Sequence, residues 1–184
     1  MQISYDQLRA IMPHAPPDLF RFVAPLNVAM EEYEINNKAR QAAFLAQLGH
    51  ESGSFRYMEE IASGAAYEGR RDLGNHEQEA IDAAARHGTT PGRFYKGHGP
   101  IQITGYYNHR DAGLALGLDL VNEPVLITLA GPGCRAAGWF WKSRGCNDLA
   151  DRGMQEVITR RINGGLNGLA DRLAYLDRAT RVLV

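Results

Sequence analysis

Apolar residues recur at helical spacing along most of the chain, and the breaks between runs fall at Pro, Gly and Asn. Ser4 is placed to cap a short first helix over 5–11, after which Pro13, Pro16 and Pro17 punctuate the chain. Asp18 is placed to cap a second helix reaching Met30, with Pro25 forcing a kink or restart. Asn36 or Asn37 caps a long helix that ends near Gly53 and Ser54. From 63 to 100 the pattern loosens into glycine-marked turns, holding only a helical piece over 77–87. Patterning returns over 107–116, stopped by Gly117, and a short apolar run over 126–129 precedes Gly131-Pro132-Gly133. The segment 135–143 is strongly apolar, and its Trp139, Phe140 and Trp141 read as core. A helix over 151–162 stops at Asn163-Gly164-Gly165, and a last amphipathic helix runs from 169 to 184 with Leu169, Leu173 and Leu176 on one stripe.

One acidic residue breaks this pattern in an informative place. Phe44, Leu48 and Glu51 recur at i, i+4 and i+7, so the carboxyl of Glu51 falls on the core-facing stripe of the long helix. It also sits at the C-terminal end, where the helix dipole opposes negative charge. Partial burial and the dipole both favour the neutral acid, the form a general acid uses.

Composition narrows the function classes. Hydrophobic residues make up 45% and charged residues 22% of the 184, as in an ordinary globular chain. The formal net charge is −1 and no Lys/Arg block stands out, so nothing points to nucleic acid or an anionic membrane surface. No apolar run approaches the roughly 18 residues of a membrane span. The N-terminus lacks the basic and apolar regions of a secretory signal, which is expected to leave the protein in the cytoplasm of the cell that makes it. Cys134 and Cys146 lack zinc-site spacing and read as two buried thiols. The six histidines are scattered without a helical i, i+4 pair, so no metal and no cofactor is expected.

Glycosidic cleavage generally needs a second carboxyl group opposite the acid. Glu59, Glu60 and Glu68 follow Glu51. Nine residues of continuous helix between Glu51 and Glu60 would separate them by about 13.5 Å, with a half-turn offset. The chain must therefore bend between them, and Gly53-Ser54 supplies the bend. Inverting glycosidases hold their two carboxyls roughly 6.5–9.5 Å apart, with a water between.

The run Phe44-Leu45-Ala46-Gln47-Leu48-Gly49-His50-Glu51-Ser52 resembles the catalytic-helix motif of family 19 glycoside hydrolases. Tyr95-Lys96-Gly97-His98-Gly99-Pro100-Ile101-Gln102-Ile103-Thr104-Gly105-Tyr106-Tyr107-Asn108 is a second match, and Arg161-Ile162-Asn163-Gly164-Gly165 with Ala170-Asp171-Arg172 a third. The stretch 62–75, with Tyr67-Glu68-Gly69-Arg70, is similar to the phage endolysin branch. The resemblance implies a mainly α-helical, lysozyme-like, two-lobed domain with a short β-hairpin near 95–104 beside the substrate groove. It implies Glu51 as general acid, Glu60 as general base and Thr104 as holder of the attacking water. Glu68 is the alternative base. Gln102, Asn108, Asn163 and Tyr95 would bind the sugars, and Arg172 would bind there too, bridging to the acidic pair. The family usually has Arg where this chain has His98, whose charge would depend on pH near neutrality.

Chitin and peptidoglycan share β-1,4-linked N-acetylated amino sugars, so fold and acid pair suit either. The phage-like stretch, together with the expectation of a single catalytic domain over 1–184 without a wall-binding module, favours peptidoglycan. The expected protein is a monomeric endolysin with muramidase activity. It would wait in the host cytoplasm, insert into no membrane, and reach the wall once a holin opens the bilayer. A chitinase and a lytic transglycosylase are the alternatives.

Overall fold

The computed structural model describes residues 2–183, and the apolar runs become helices. Helix α1 (Tyr5–Ile11) opens on a reciprocal capping box, in which Ser4 Oγ accepts the Gln7 N–H and the Gln7 side chain accepts the Ser4 N–H. A 3-10 turn (Pro17–Phe22) then leads into α2 (Val23–Glu32). Two expectations fail here. Asp18 caps nothing; it pairs with Arg21 at 3.0 Å inside the 3-10 turn. Pro25 does not kink a helix, because the break falls before it and it occupies the first turn of α2, where an N–H has no partner to lose.

Helix α3 (Lys38–Glu51) is capped by Asn37, whose Oδ1 accepts the Arg40 N–H at 2.9 Å. Every residue from Gln41 to Gly49 is buried, so α3 threads the core rather than lying on it. Helix α10 (Leu169–Val182) packs along it, and at Gly49 a Cβ would lie 2.7 Å from Tyr175 Cδ1. Only glycine allows that approach. The buried face of α10 is Arg172, Tyr175 and Ala179, while Leu173 stays 42% exposed. The predicted leucine stripe holds only in part: Leu176 packs against the large core, but Leu173 does not, and a large polar side chain and an aromatic hold the buried face. Val184, at the predicted end of this helix, lies outside the described residues.

Two hydrophobic cores give the molecule its two lobes. The larger gathers α1, α2, α3 and α10 with α7 (Ala130–Ser143), α8 (Cys146–Asp151) and α9 (Gln155–Asn163). The smaller centres on Ala80, Ala83, Tyr95 and Tyr106, from α4 (Gln78–Arg86), the end of α5 (Pro91–Phe94) and the start of α6 (Tyr106–Leu116). Gly131-Pro132-Gly133, read as punctuation, is the first turn of α7, which tolerates proline for the reason given at Pro25. The predicted helix over 151–162 starts at Gln155, and α8 before it was missed. Trp141 and Phe140 are buried, and Cys134 and Cys146 are buried free thiols. Among the described residues no helix is long and apolar enough to cross a membrane.

The expected hairpin shrinks to isolated bridges. His98 and Ile103 exchange backbone bonds at 3.0 and 2.9 Å, and Glu59 pairs with His98 on the other side. These bridges draw the segment after α3 against the 97–104 loop at the junction of the lobes.

Candidate active site

The site begins with the turn after α3. Gly53, Ser54 and Phe55 adopt positive φ in succession, at 56°, 64° and 63°. That conformation costs a non-glycine residue roughly 1 kcal/mol or more, so packing must hold it. Ser52 Oγ donates to the Leu48 carbonyl at 2.6 Å and accepts the Phe55 N–H at 2.8 Å. The Ser54 hydroxyl is 2.6 Å from the Tyr175 hydroxyl on α10, and Phe55 stacks on Phe22 with centroids 4.5 Å apart. This is the bend that the spacing of the acids required, extended by two residues beyond its glycine.

Beyond the bend, Glu60 is fixed at three points. Its backbone N–H donates to the Gly97 carbonyl at 2.8 Å. The Gly97 N–H donates to Oε2 at 2.9 Å, and the Tyr67 hydroxyl donates to Oε1 at 3.0 Å. Both donors stabilise and orient a carboxylate. Glu51 sits across from it at the end of α3, its side chain 16% exposed. Arg172 Nη2 donates to Glu51 Oε1 at 2.6 Å, and Nη1 donates to Gln47 Oε1 one turn back. The Arg172 guanidinium thus ties the Glu51 carboxyl to the preceding turn of α3 through Gln47.

Glu51 and Glu60 line one groove of about 450 Å³, shared with Thr104, Gln102, Asn108 and Asn163. That volume is in the range of sites for small organic ligands. Thr104 Oγ1 donates to the Gln102 carbonyl at 3.1 Å, so its lone pairs are not used by that bond. Gln102 holds φ 57°, with its amide bonded to the Gly99 carbonyl at 2.9 Å. Asn108 Nδ2 donates to the Thr104 carbonyl at 2.8 Å. Asn163, at the end of α9, is exposed on the groove wall.

Other candidates lie elsewhere. Tyr95 is fully buried and donates to the Val121 carbonyl at 2.6 Å, so it supports the small lobe and offers no face to a sugar. Arg172 is 1% exposed and reaches the groove only through Glu51; its bonds run to Gln47 and Glu51, not to Glu60. Glu68 lies outside the groove lining, bonded to the Thr90 hydroxyl and, at 3.0 Å, to the Gly92 N–H. Glu59 pairs with Lys96 at 2.8 Å. His98 is 1% exposed, with Nδ1 3.0 Å from His109 Nε2. Burial pushes its pKa down to about 4, so it is neutral near pH 7 and cannot replace an arginine by charge. Among the described residues, no group of three or more His, Cys, Asp or Glu is placed to hold a metal ion.

The lining residues not singled out as binding groups include Tyr67, Arg70, Phe140 and Arg144. Tyr67 and Arg70 stand in the 62–75 motif, which could have flagged them. Phe140 was hidden by its tryptophan neighbours, and Arg144 reads in sequence as an ordinary basic residue at a helix end.

Comparisons with known proteins identify the family. The profile of chitinase class I, glycoside hydrolase family 19, matches residues 27–164. A Haemophilus influenzae protein described as a glycosyl hydrolase family 19 domain-containing protein is 32% identical, across 94% of this chain and 92% of its own. An Arabidopsis thaliana endochitinase is 39% identical over 70% of this chain, which spans only 40% of that protein. Among solved structures, chitinase C from Streptomyces griseus superposes with a TM-score of 0.79 at 22% identity, covering 98% of this chain and 76% of the other. A bacterial family 19 chitinase gives 0.78 at 24% identity, over 98% and 94%. The match of the family model over most of the chain, with the full-length relative, shows that the chain belongs to glycoside hydrolase family 19.

Proposed function

We propose that the protein hydrolyses β-1,4 bonds of the peptidoglycan glycan by inversion, as an endolysin-type muramidase. The observation carrying the chemistry is the pairing of Glu51 and Glu60 in one groove. Glu51 protonates the leaving oxygen from the end of α3. Glu60, oriented by Tyr67 and Gly97, takes the proton of a water that attacks the anomeric carbon from the opposite face. Thr104 accepts a hydrogen bond from that water, and Gln102, Asn108 and Asn163 hold the sugars. Arg172 keeps the Glu51 carboxyl in place. A transglycosylase needs one acid, and the double anchoring of Glu60 favours the two-carboxyl hydrolysis.

The choice of polymer rests on Tyr67 and Arg70. Both belong to the stretch that resembles the phage branch, and both line the groove, so the residues carrying the resemblance stand where substrate would lie. Action on the wall would follow breach of the cytoplasmic membrane by a holin. The chitin reading is favoured by the relatives named endochitinases. Mass spectrometry of borohydride-reduced fragments from purified Gram-negative peptidoglycan separates the readings. Reduced N-acetylmuramic acid ends are expected. Anhydro ends would replace the reading with a transglycosylase, and intact peptidoglycan beside cleaved chitin oligomers would replace it with a chitinase.

A further inference from the structure

Two guanidiniums line the groove, and they differ in what satisfies them. Arg70 is engaged by Asp72, with Nε donating to Oδ1 at 2.8 Å and Nη2 pairing with Oδ2. Arg144 has no carboxylate partner among the described residues. Its Cζ lies 3.2 Å from the centroid of the Phe140 ring. Nη2 donates to Asn108 Oδ1 at 3.1 Å, and Nη1 reaches Ser143 Oγ at 3.5 Å. Its own carbonyl accepts Arg161 Nη1 at 2.6 Å, which fixes the backbone where α7 ends.

The charge of Arg144 is therefore poorly compensated. Burial pushes its pKa down, and the one group that opposes this shift is the Cys146 thiol. That thiol is itself pushed up to about 11 by burial and is uncharged near pH 7. The C-terminal end of α7 offers about half a negative charge, less than a guanidinium carries. A half-buried cation held by an aromatic face and neutral acceptors is costly until an anion arrives. Its planar fork matches a carboxylate with two parallel bonds.

We propose that Arg144 is a specificity-determining residue that binds a carboxylate carried by the glycan, on the lactyl arm of a muramic acid unit. This rests on the peptidoglycan reading, since chitin carries no such group. The carboxylate is that of the lactyl arm itself where no peptide is attached, or of the stem peptide where one is. Asn108 positions the guanidinium and Phe140 supports its face.

The test compares three soluble tetrasaccharides at low salt. One is the N-acetylglucosamine tetramer; the second alternates N-acetylglucosamine with N-acetylmuramic acid; the third is the second bearing stem peptides. Binding is titrated by NMR in a Glu60→Gln background, which stops turnover, with Arg144 intact or changed by Arg144→Gln or Arg144→Lys. With Arg144 present, at least one anionic glycan should bind about tenfold tighter than the neutral tetramer, a ratio a charged bidentate contact readily supplies. The Arg144 side-chain Nε resonance should shift only with that glycan. Arg144→Gln should erase the preference and Arg144→Lys should keep part of it. Tighter binding of the peptide-free chain assigns the lactyl carboxylate, and of the peptide-bearing chain the stem. Equal affinities with Arg144 present, a preference surviving Arg144→Gln, or no binding of any glycan overturns the proposal. An enzyme that keeps the preference yet leaves whole peptidoglycan uncut contradicts the function reading alone.

Discussion

Arg172 Nη2 lies 2.6 Å from Glu51 Oε1, and the guanidinium that makes this contact is 1% exposed. A buried cation thus holds the candidate acid from below the groove floor. Breaking such a pair strands the remaining charge and usually costs about 3 kcal/mol or more. Arg172→Met is expected to lower the denaturation midpoint by that order and to abolish turnover. Arg172→Lys should recover much of the stability and little of kcat, because an ammonium cannot reach Gln47 and Glu51 with one planar fork. Urea melts beside steady-state kinetics check this; wild-type stability in Arg172→Met would contradict it.

The three acids after the bend are expected to separate by role. Glu60→Gln should reduce kcat at least a thousandfold with the fold intact. Glu68→Gln should leave kcat within a few-fold but lower the melting temperature, since Glu68 ties Thr90 and the Gly92 N–H at the start of α5. Glu59→Gln should be mild in both, as its exposed pair with Lys96 contributes little. Turnover lost at Glu68 and kept at Glu60 would reverse the assignment of the base.

Tyr67→Phe removes one of the two side-chain hydrogen bonds on Glu60 and leaves the Gly97 N–H in place. A hydrogen bond to a charged group contributes about 1.5–3 kcal/mol, so kcat should fall about tenfold or more while KM changes less. An unchanged kcat would remove Tyr67 from the positioning of Glu60. Thr104→Val should likewise act on kcat rather than KM if its hydroxyl holds the attacking water.

The His98–His109 pair makes stability depend on acid. Burial lowers the folded pKa of His98 to about 4 and of His109 to about 3, against 6.5 for free imidazole. Below pH 6.5 the unfolded chain takes up protons that the folded chain refuses. Stability carried by the neutral pair is present above 6.5 and is lost as pH falls toward 4 and 3. Thermal melts of the wild type should fall steeply through that window. Replacing both residues, as in His98→Asn with His109→Gln, should flatten the dependence there, whatever the variant's stability at pH 7.

Much of this was legible in the chain because it is local. Ser4 and Asn37 cap where their side chains can reach an N–H three residues on, and Gly117 ends α6 as its position implies. The need for a bend between Glu51 and Glu60 followed from helix geometry alone, and the structure places it at Gly53 to Phe55. Proline misled twice, at Pro25 and Pro132, because a first helical turn has no bond for proline to break and the sequence does not mark which turn is first. Tertiary contacts were not legible. Leu173 looked like core and is exposed, whereas Arg172, expected to bridge both acids, is buried and reaches only Glu51, because its partners Gln47 and Glu51 lie together on another helix. Tyr95 shares a motif with groove residues, yet its side chain turns into the small core. Arg144 carried no signal, since what distinguishes it is the absence of a carboxylate neighbour in space.

The central claim is that Glu51 and Glu60 act from opposite faces of the sugar, and the anomer released first tests it most directly. Proton NMR during the first minutes of cleavage of soluble peptidoglycan glycan strands, before mutarotation mixes the products, should record the α-anomer. Initial release of the β-anomer would mean retention, and would contradict Glu60 as the base that activates water.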